Sequence, residues 1–548
     1  MEASHSLLLN EEAWRLCADP VKPVFFYEWL RYLDRVLPHT HKSDLRSSQQ
    51  QLLAQLLARM ASGVGPPTRR LLASAISRVF AISGDTAGVL GVANACNDTL
   101  RQKDTSSSVE HTLAVKFCAL SVLSALWQRV PTQTGRSFEE TFQVTSKWLK
   151  TAESAARVEI WSAWASLVEG VGGQALGVPM QRAIFKLARA HITDRVPAVR
   201  AAVARCLAAL VRNPAGASGQ TTGEALPDVD GVVALALAGC SVVGGSSSTS
   251  SSSSSSSGAG TALSLDGAGF PDSDAPIDET RRAFARLLAA ALATATRSTS
   301  TSPHSSLWKS VHLDRNNTSQ AVASSSASSE EVRQQQTQQS SKNAPAASTS
   351  NGNAAPGRRL SPDEALCTLA APFLRGGTAG FLKVAPHTCS IRNIRQGHHV
   401  TTSSASLPAA SATGSREVRI VIALAYVELC HELGAAWLER HVPVFVRHLL
   451  DVASRAGANL VQADESRWLC SALAAILRST LGEQLAESAQ LAAFRALGAA
   501  LATHASNWSA DFGESSSASS ADGAELVGLG GADVHASAAV IQLALLEV

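Results

Sequence analysis

The sequence predicts an all-α fold, an α-solenoid of stacked helical pairs carrying long serine-rich insertions. Three observations predict it. Only 5% of the residues are aromatic while 45% are hydrophobic, with Ala and Leu abundant, which favours close-packed helices over a β-sandwich. Residues 193–213, TDRVPAVRAAVARCLAALVRN, read as one helix with a start, an apolar stripe and a stop. The same arrangement returns twice further along, as expected where each unit buries its face only against its neighbours.

In that stretch Asp194 is the expected N-cap, able to accept an orphan N–H of the first turn, and Pro197 falls where a missing N–H costs little. Val199, Val203, Cys206 and Leu210 share one face at helical spacing, and Leu207 and Val211 widen it enough to pack on two neighbours. Arg212, Asn213 and Pro214 close the helix. The stretch resembles the second helix of a HEAT repeat: Asp194, Pro197, Val199 and Arg200, then Leu207 and Leu210. Residues 416–434, REVRIVIALAYVELCHELG, repeat it with Val418, Arg419, Tyr426 and Leu429. Residues 280–297 are a degenerate copy in which Arg281 and Leu288 keep their places, Thr280 replaces the Val and Ala291 replaces the second Leu.

The elements follow in chain order. Residues 1–62 open with two short helical segments separated by DPVKP, and gather Trp14, Phe25, Phe26, Tyr27, Trp29 and Tyr32. They read as a cap sealing one end of the solenoid, or alternatively as an aromatic docking surface. LRSSQQQLLAQLLARMA and RRLLASAISRVFAI form an antiparallel pair broken at Gly63–Pro67, and helix–turn–helix alternation continues from Val89 to Gly172. Met180–Ile192 supplies the first helix of the pair that residues 193–213 complete. Spacings of about forty residues between equivalent helices fit HEAT units.

The organisation expected is therefore 1–214, an N-terminal cap and HEAT repeats; 215–297, a repeat interrupted by a Ser/Gly-rich insertion at 241–276; and 298–358, a disordered Ser/Gln/Asn-rich linker. Then come 359–512, further HEAT repeats; 513–523, a flexible break; and 524–548, the start of another repeat, which suggests a piece of a longer protein. A Ser/Gly run cannot bury enough apolar surface to offset its ordering entropy, so the insertion belongs in a repeat loop. The linker reads as a spacer, or alternatively as a phosphoregulated or short-motif tract. Order returns at Ser361, whose SPDE sequence is a capping box.

A formal charge of +2 implies no global pull toward nucleic acid or acidic membrane. The nine cysteines stand singly without a C-x-x-C pair, several of them on apolar stripes, which points to core thiols and a reducing compartment. Apolar runs are broken by charge before about 18 residues, so no membrane-spanning helix is expected. The sequons at Asn97, Asn316 and Asn507 read as chance matches.

Chemistry is sparse. His431-Glu432 begins an H-E-x-x-H pattern that Ala435 leaves without its second ligand. Gly170-Val-Gly172-Gly-Gln-Ala175 matches a dinucleotide loop formally but follows a helix instead of a strand, so it reads as an interhelical turn. His39, His41, His398 and His399 lack ligand-spaced neighbours. Arg69-Arg70 and Arg281-Arg282 at helix starts suit repeat packing or acidic partners better than nucleic acid. No catalytic, cofactor-binding or metal-ligating residue is assigned, and no enzyme activity, cofactor, nucleic acid or small-molecule substrate is expected.

Local phrases narrow the reading. SHSLLLNEEA, Pro23–Asp34 as P-V-F-x-x-E-W-L-R-x-L-D, GPPTR at 65–69, CND at 96–98, FLRGG with GFLK at 373–383, REVR at 416–419 and WLER at 437–440 together resemble the HEAT-repeat-containing protein 5 family. The resemblance covers nearly all of the chain outside the two serine-rich tracts. It implies a long cytosolic solenoid scaffold that works with clathrin adaptor complex 1, aftiphilin and gamma-synergin. The scaffold would sit peripherally on the trans-Golgi network, endosomes and endocytic vesicles and serve endocytosis, protein localisation and endosome-to-Golgi retrograde transport. HEAT architecture alone would equally permit another class, such as a nuclear transport receptor or a phosphatase scaffold. The phrases favour the first because FLRGG and WLER, read as loops, have no reason to recur through helix packing.

Overall fold

The computed structural model describes residues 7–102, 109–214, 229–241, 275–297, 360–375, 412–456, 472, 475, 476, 478 and 485–499. Among the described residues there is no strand. The helices are α1 Glu11–Leu16, α2 Lys22–Val36, α3 Lys42–Met60, α4 Pro66–Ser83, α5 Thr86–Arg101, α6 Val109–Arg129, α7 Ser137–Leu149, α8 Ser154–Val171, α9 Gly173–His191, α10 Pro197–Arg212, α11 Val229–Ser241, α12 Ala275–Arg297, α13 Pro362–Arg375, α14 Ala412–Leu433 and α15 Ala435–Ala456, followed by α16 at 487–499. The expected linker, residues 103–108 within the expected helix–turn–helix alternation, the loop histidines at 398 and 399, and everything from 500 onward lie outside the described residues.

From α3 the chain runs in pairs: α3 with α4, α5 with α6, α7 with α8, α9 with α10, α11 with α12, and α13 with α14. The second members pack on one another in series from α4 to α14, and α2 leads into that series by packing on α4. This is the all-α solenoid that the periodicity predicts. The core is accordingly a continuous seam between layers, and α10, flanked by α8 and α12, is buried almost all round. Its stripe residues Val199, Val203, Cys206, Leu207 and Leu210 are all at most 1% exposed.

The cap of α10 differs from expectation. Pro197, expected within the first turn, is the first helical residue, which makes Val196 the cap residue, and the Val196 side chain cannot bond the first turn. Asp194 stands two residues upstream. Its Oδ1 accepts the Val196 N–H at 2.9 Å and its other oxygen lies 3.4 Å from Arg157 on α8, so it ties α10 to the preceding unit. The degenerate copy is longer than its periodicity suggests, starting at Ala275, and its departure from the pattern has a reason: the buried Thr280 hydroxyl donates to the Pro197 carbonyl at 3.0 Å. Ala291, in place of Leu, is one of a run of buried alanines that lets α12 lie close to both neighbours.

Other expectations meet the structure element by element. Leu7 and Leu9 are buried; Gln55 accepts the Leu9 N–H at 2.9 Å and donates to the Leu9 carbonyl at 3.1 Å. Phe26 and Trp29 join this core, Trp14 lies under the Arg59 guanidinium at 4.2 Å, and only Tyr32 of the aromatic group is exposed. Apart from Tyr32, this aromatic group packs inward instead of standing out as a docking surface. Ser361 and Glu364 form the predicted reciprocal box, with N–H to oxygen distances of 2.9 and 3.3 Å. WLER is helical, not a loop: Leu438 is buried on α15 and Glu439 accepts the Ala486 N–H at 3.1 Å. Packing therefore gives that phrase a reason to recur. α6 is long and apolar enough by length and composition alone to cross a membrane, although Glu110, Lys116 and Arg129 interrupt its apolar run as expected. Its Leu120, Leu123, Leu126 and Trp127 are instead inside the seam between α4 and α8.

Candidate interaction surface

The residues singled out for possible chemistry are dispersed as packing groups. Arg69 pairs with Glu159 across the stack, and Arg281 makes two bonds of 2.8 Å to Glu417 on α14 and one of 2.9 Å to Asp278. Burial alone would lower the Arg281 guanidinium, but the hydrogen bonds and charge of Glu417 and Asp278 raise it instead. Glu432 bonds Arg212, while His431 is exposed. Asn97 is buried, hydrogen-bonded to Thr141 at 2.7 Å, so a glycan could not be attached to it in the folded chain. Cys96, Cys118, Cys206, Cys240, Cys367 and Cys430 are free and buried, and burial pushes the Cys96 thiol up to about 12, which keeps it protonated. Among the described residues no group of His, Cys, Asp and Glu has the arrangement of a metal site.

The glycine-rich turn at 170–175 has a steric explanation. A methyl group on Gly170 would overlap the Trp127 carbonyl at the end of α6, and one on Gly173 would overlap the Asn213 carbonyl at the end of α10. Gly172 between them has a φ of 79°, open to glycine without strain. The turn is thus where three helix ends meet, and Gln181 staples it by donating to the Gly173 carbonyl at 3.2 Å and the Asn213 carbonyl at 3.0 Å.

That turn positions a concavity on the surface of the stack. α9 begins in the turn, breaks at Gly177 (φ 70°, ψ 161°) next to Pro179, and then runs on to pack against α8 and α10. α5 and α7 lie side by side in the outer layer, but α9 is led away from α7. The space left is a trough of about 1130 Å³ between α7 and α9. Phe138, Phe142, Val171, Leu176 and Met180 make its apolar lining, with Ala175 and Pro179 at an exposed edge. Its floor is stiff, because Phe142 meets Trp164 at 4.9 Å, Trp164 meets Trp161 at 4.8 Å, and the Trp164 indole donates to Thr145 at 3.0 Å. At one mouth Arg136 holds Glu139 at 2.5 Å. Sequence reading assigns the first helix here to Met180–Ile192 and passes over the trough; the Gly177-Val-Pro179 sequence is the signal that could have marked the break.

No family model matches the chain. Among solved structures it is similar to a crystal structure of a multiply substituted Kap121p, with 13% identity and a TM-score of 0.34 over 91% of this chain and 43% of that one. The chain thus spans less than half of that protein's length in the structure, and a likeness this loose assigns it no function.

Proposed function

We propose that the protein is a non-enzymatic scaffold in clathrin-adaptor-dependent membrane traffic, of the HEAT-repeat-containing protein 5 kind. What supports this is the order of the family phrases along one continuous solenoid. GPPTR opens α4, CND closes on α5, REVR supplies Glu417 and Arg419 on α14, and WLER lies on α15, so the resemblance touches both ends of the described stack instead of resting on one local match. A solenoid of this kind offers extended surface to several partners at once. In this reading clathrin adaptor complex 1, aftiphilin and gamma-synergin gather on it at trans-Golgi, endosomal and endocytic vesicle membranes that it reaches through those partners.

The test is affinity purification of the full chain from cytosol at two salt concentrations, with the bound proteins identified. Adaptor subunits retained at both support the reading. Transport GTPase or phosphatase subunits in their place would replace it with a carrier or scaffold of another class, and so would a nuclear location of the tagged chain.

A further inference from the structure

We infer that the α7–α9 trough docks an acidic amphipathic helix from a partner protein. Its volume of about 1130 Å³ exceeds the roughly 300–1,000 Å³ of ordinary small-molecule sites, and its open form suits the apolar face of a helix better than a compact ligand. The anchors would be side chains lying between Phe142 and Met180.

Charge selects among such helices. The two helices run in the same sense as consecutive first members of repeat pairs, so the lining residues Gln143 and Ala183 continue one turn on into Lys147 and Lys186, with Lys150 and Arg189 beyond. Residues 141–152 and 173–192 contain Lys147, Lys150, Arg182, Lys186 and Arg189 and not one Asp or Glu, in a chain whose overall charge is only +2. Lys147, Lys150, Lys186 and Arg189 take part in none of the ion pairs found among the described residues. The acid at the trough, Glu139, is at the opposite mouth and already neutralised by Arg136. A helix seated on the apolar lining would therefore carry its Asp and Glu residues toward the Lys147–Lys186 end, where complementary charge raises the association rate and rejects basic competitors. The inference does not depend on the traffic reading, since it concerns which peptide chemistry this surface accepts.

Panning a phage-displayed library of random peptides, each about four helical turns long, against the full chain tests it. The expected peptides combine apolar residues at i, i+3 or i+4, and i+7 with acidic residues toward one end. Ala175→Trp, at an exposed edge of the trough, should abolish their binding while the thermal midpoint stays unchanged. Lys147→Glu with Lys186→Glu should weaken binding by about tenfold or more, and peptides with Lys in place of their acids should regain it. Enrichment of peptides without acids, no enrichment, or binding indifferent to Ala175→Trp would overturn the proposal. So would self-association of the chain, or binding to phosphatidylserine vesicles, that Ala175→Trp removes, since either would give the trough a different occupant.

Discussion

Tyr426 and His448 form a polar pair inside an otherwise apolar seam, 2.9 Å apart between α14 and α15. Tyr426 takes a leucine slot of the repeat pattern, and its hydroxyl is accommodated only because His448 meets it. Burial holds the histidine down at about 4 and raises the tyrosine well above its ordinary value, so both are neutral near pH 7. The folded pKa of His448 is depressed, so below its ordinary 6.5 the unfolded chain takes up a proton that the folded chain refuses. Stability is thus complete above about pH 6.5 and falls as the pH drops toward 4, by an amount on the order of 3 kcal/mol for this group. His448→Gln should flatten that part of the urea-midpoint against pH curve. An unchanged slope between pH 6.5 and 4 would show that other groups set it.

At the scale of the element, ion pairs do two different jobs. Arg281 and Glu417 are both about nine-tenths buried and lie 136 residues apart in the chain, whereas Arg286–Glu428 and Arg205–Glu279 are more exposed pairs. Removing Glu417 takes two hydrogen bonds from the buried Arg281 guanidinium and leaves Asp278 as its carboxylate partner, so Glu417→Ala should cost up to about 3 kcal/mol, against roughly 0–1 kcal/mol for Glu279→Ala. Arg281→Met with Glu417→Leu and Asp278→Asn should recover most of the loss, because the cluster contributes little beyond satisfying itself. Equal losses for the two single variants in chemical denaturation would contradict this. The helix holding Glu417 is legible from REVR, but the partner of Glu417 is not, since nothing local links it to a residue in another repeat. Asp194 is a second case: Pro197 at the helix start leaves it two residues upstream of the cap position, and its contact with Arg157 of the previous unit is one that nothing local announces. The α7–α9 trough is a third case, produced by the relative course of two helices and not by either alone.

At the scale of the described stack, apolar periodicity suffices to predict the architecture because α4, α6, α8, α10, α12 and α14 pack in series on neighbours of the same kind, and local pattern and tertiary environment agree. The interrupted repeat tests how far that local logic extends. α11 and α12 pack on each other although residues 242–274 separate them, Gly239 lying so close to the Phe284 ring that a methyl group there would collide with it. The pair is completed by α11, α12 and their neighbours α10 and α14, so loop length enters only through closure entropy, where halving it changes stability by about 0.6 kcal/mol. Deleting Ser246–Ser257 should therefore shift the thermal midpoint barely at all. Leu207→Asp, which puts an unpaired charge where Leu207 is 1% exposed between α8 and α12, should cost several kcal/mol and lower the midpoint sharply. Differential scanning calorimetry of the two variants separates the contributions of seam and insertion. A serine deletion that destabilises as much as Leu207→Asp would mean that the run is part of the packed repeat and not a loop inserted into it.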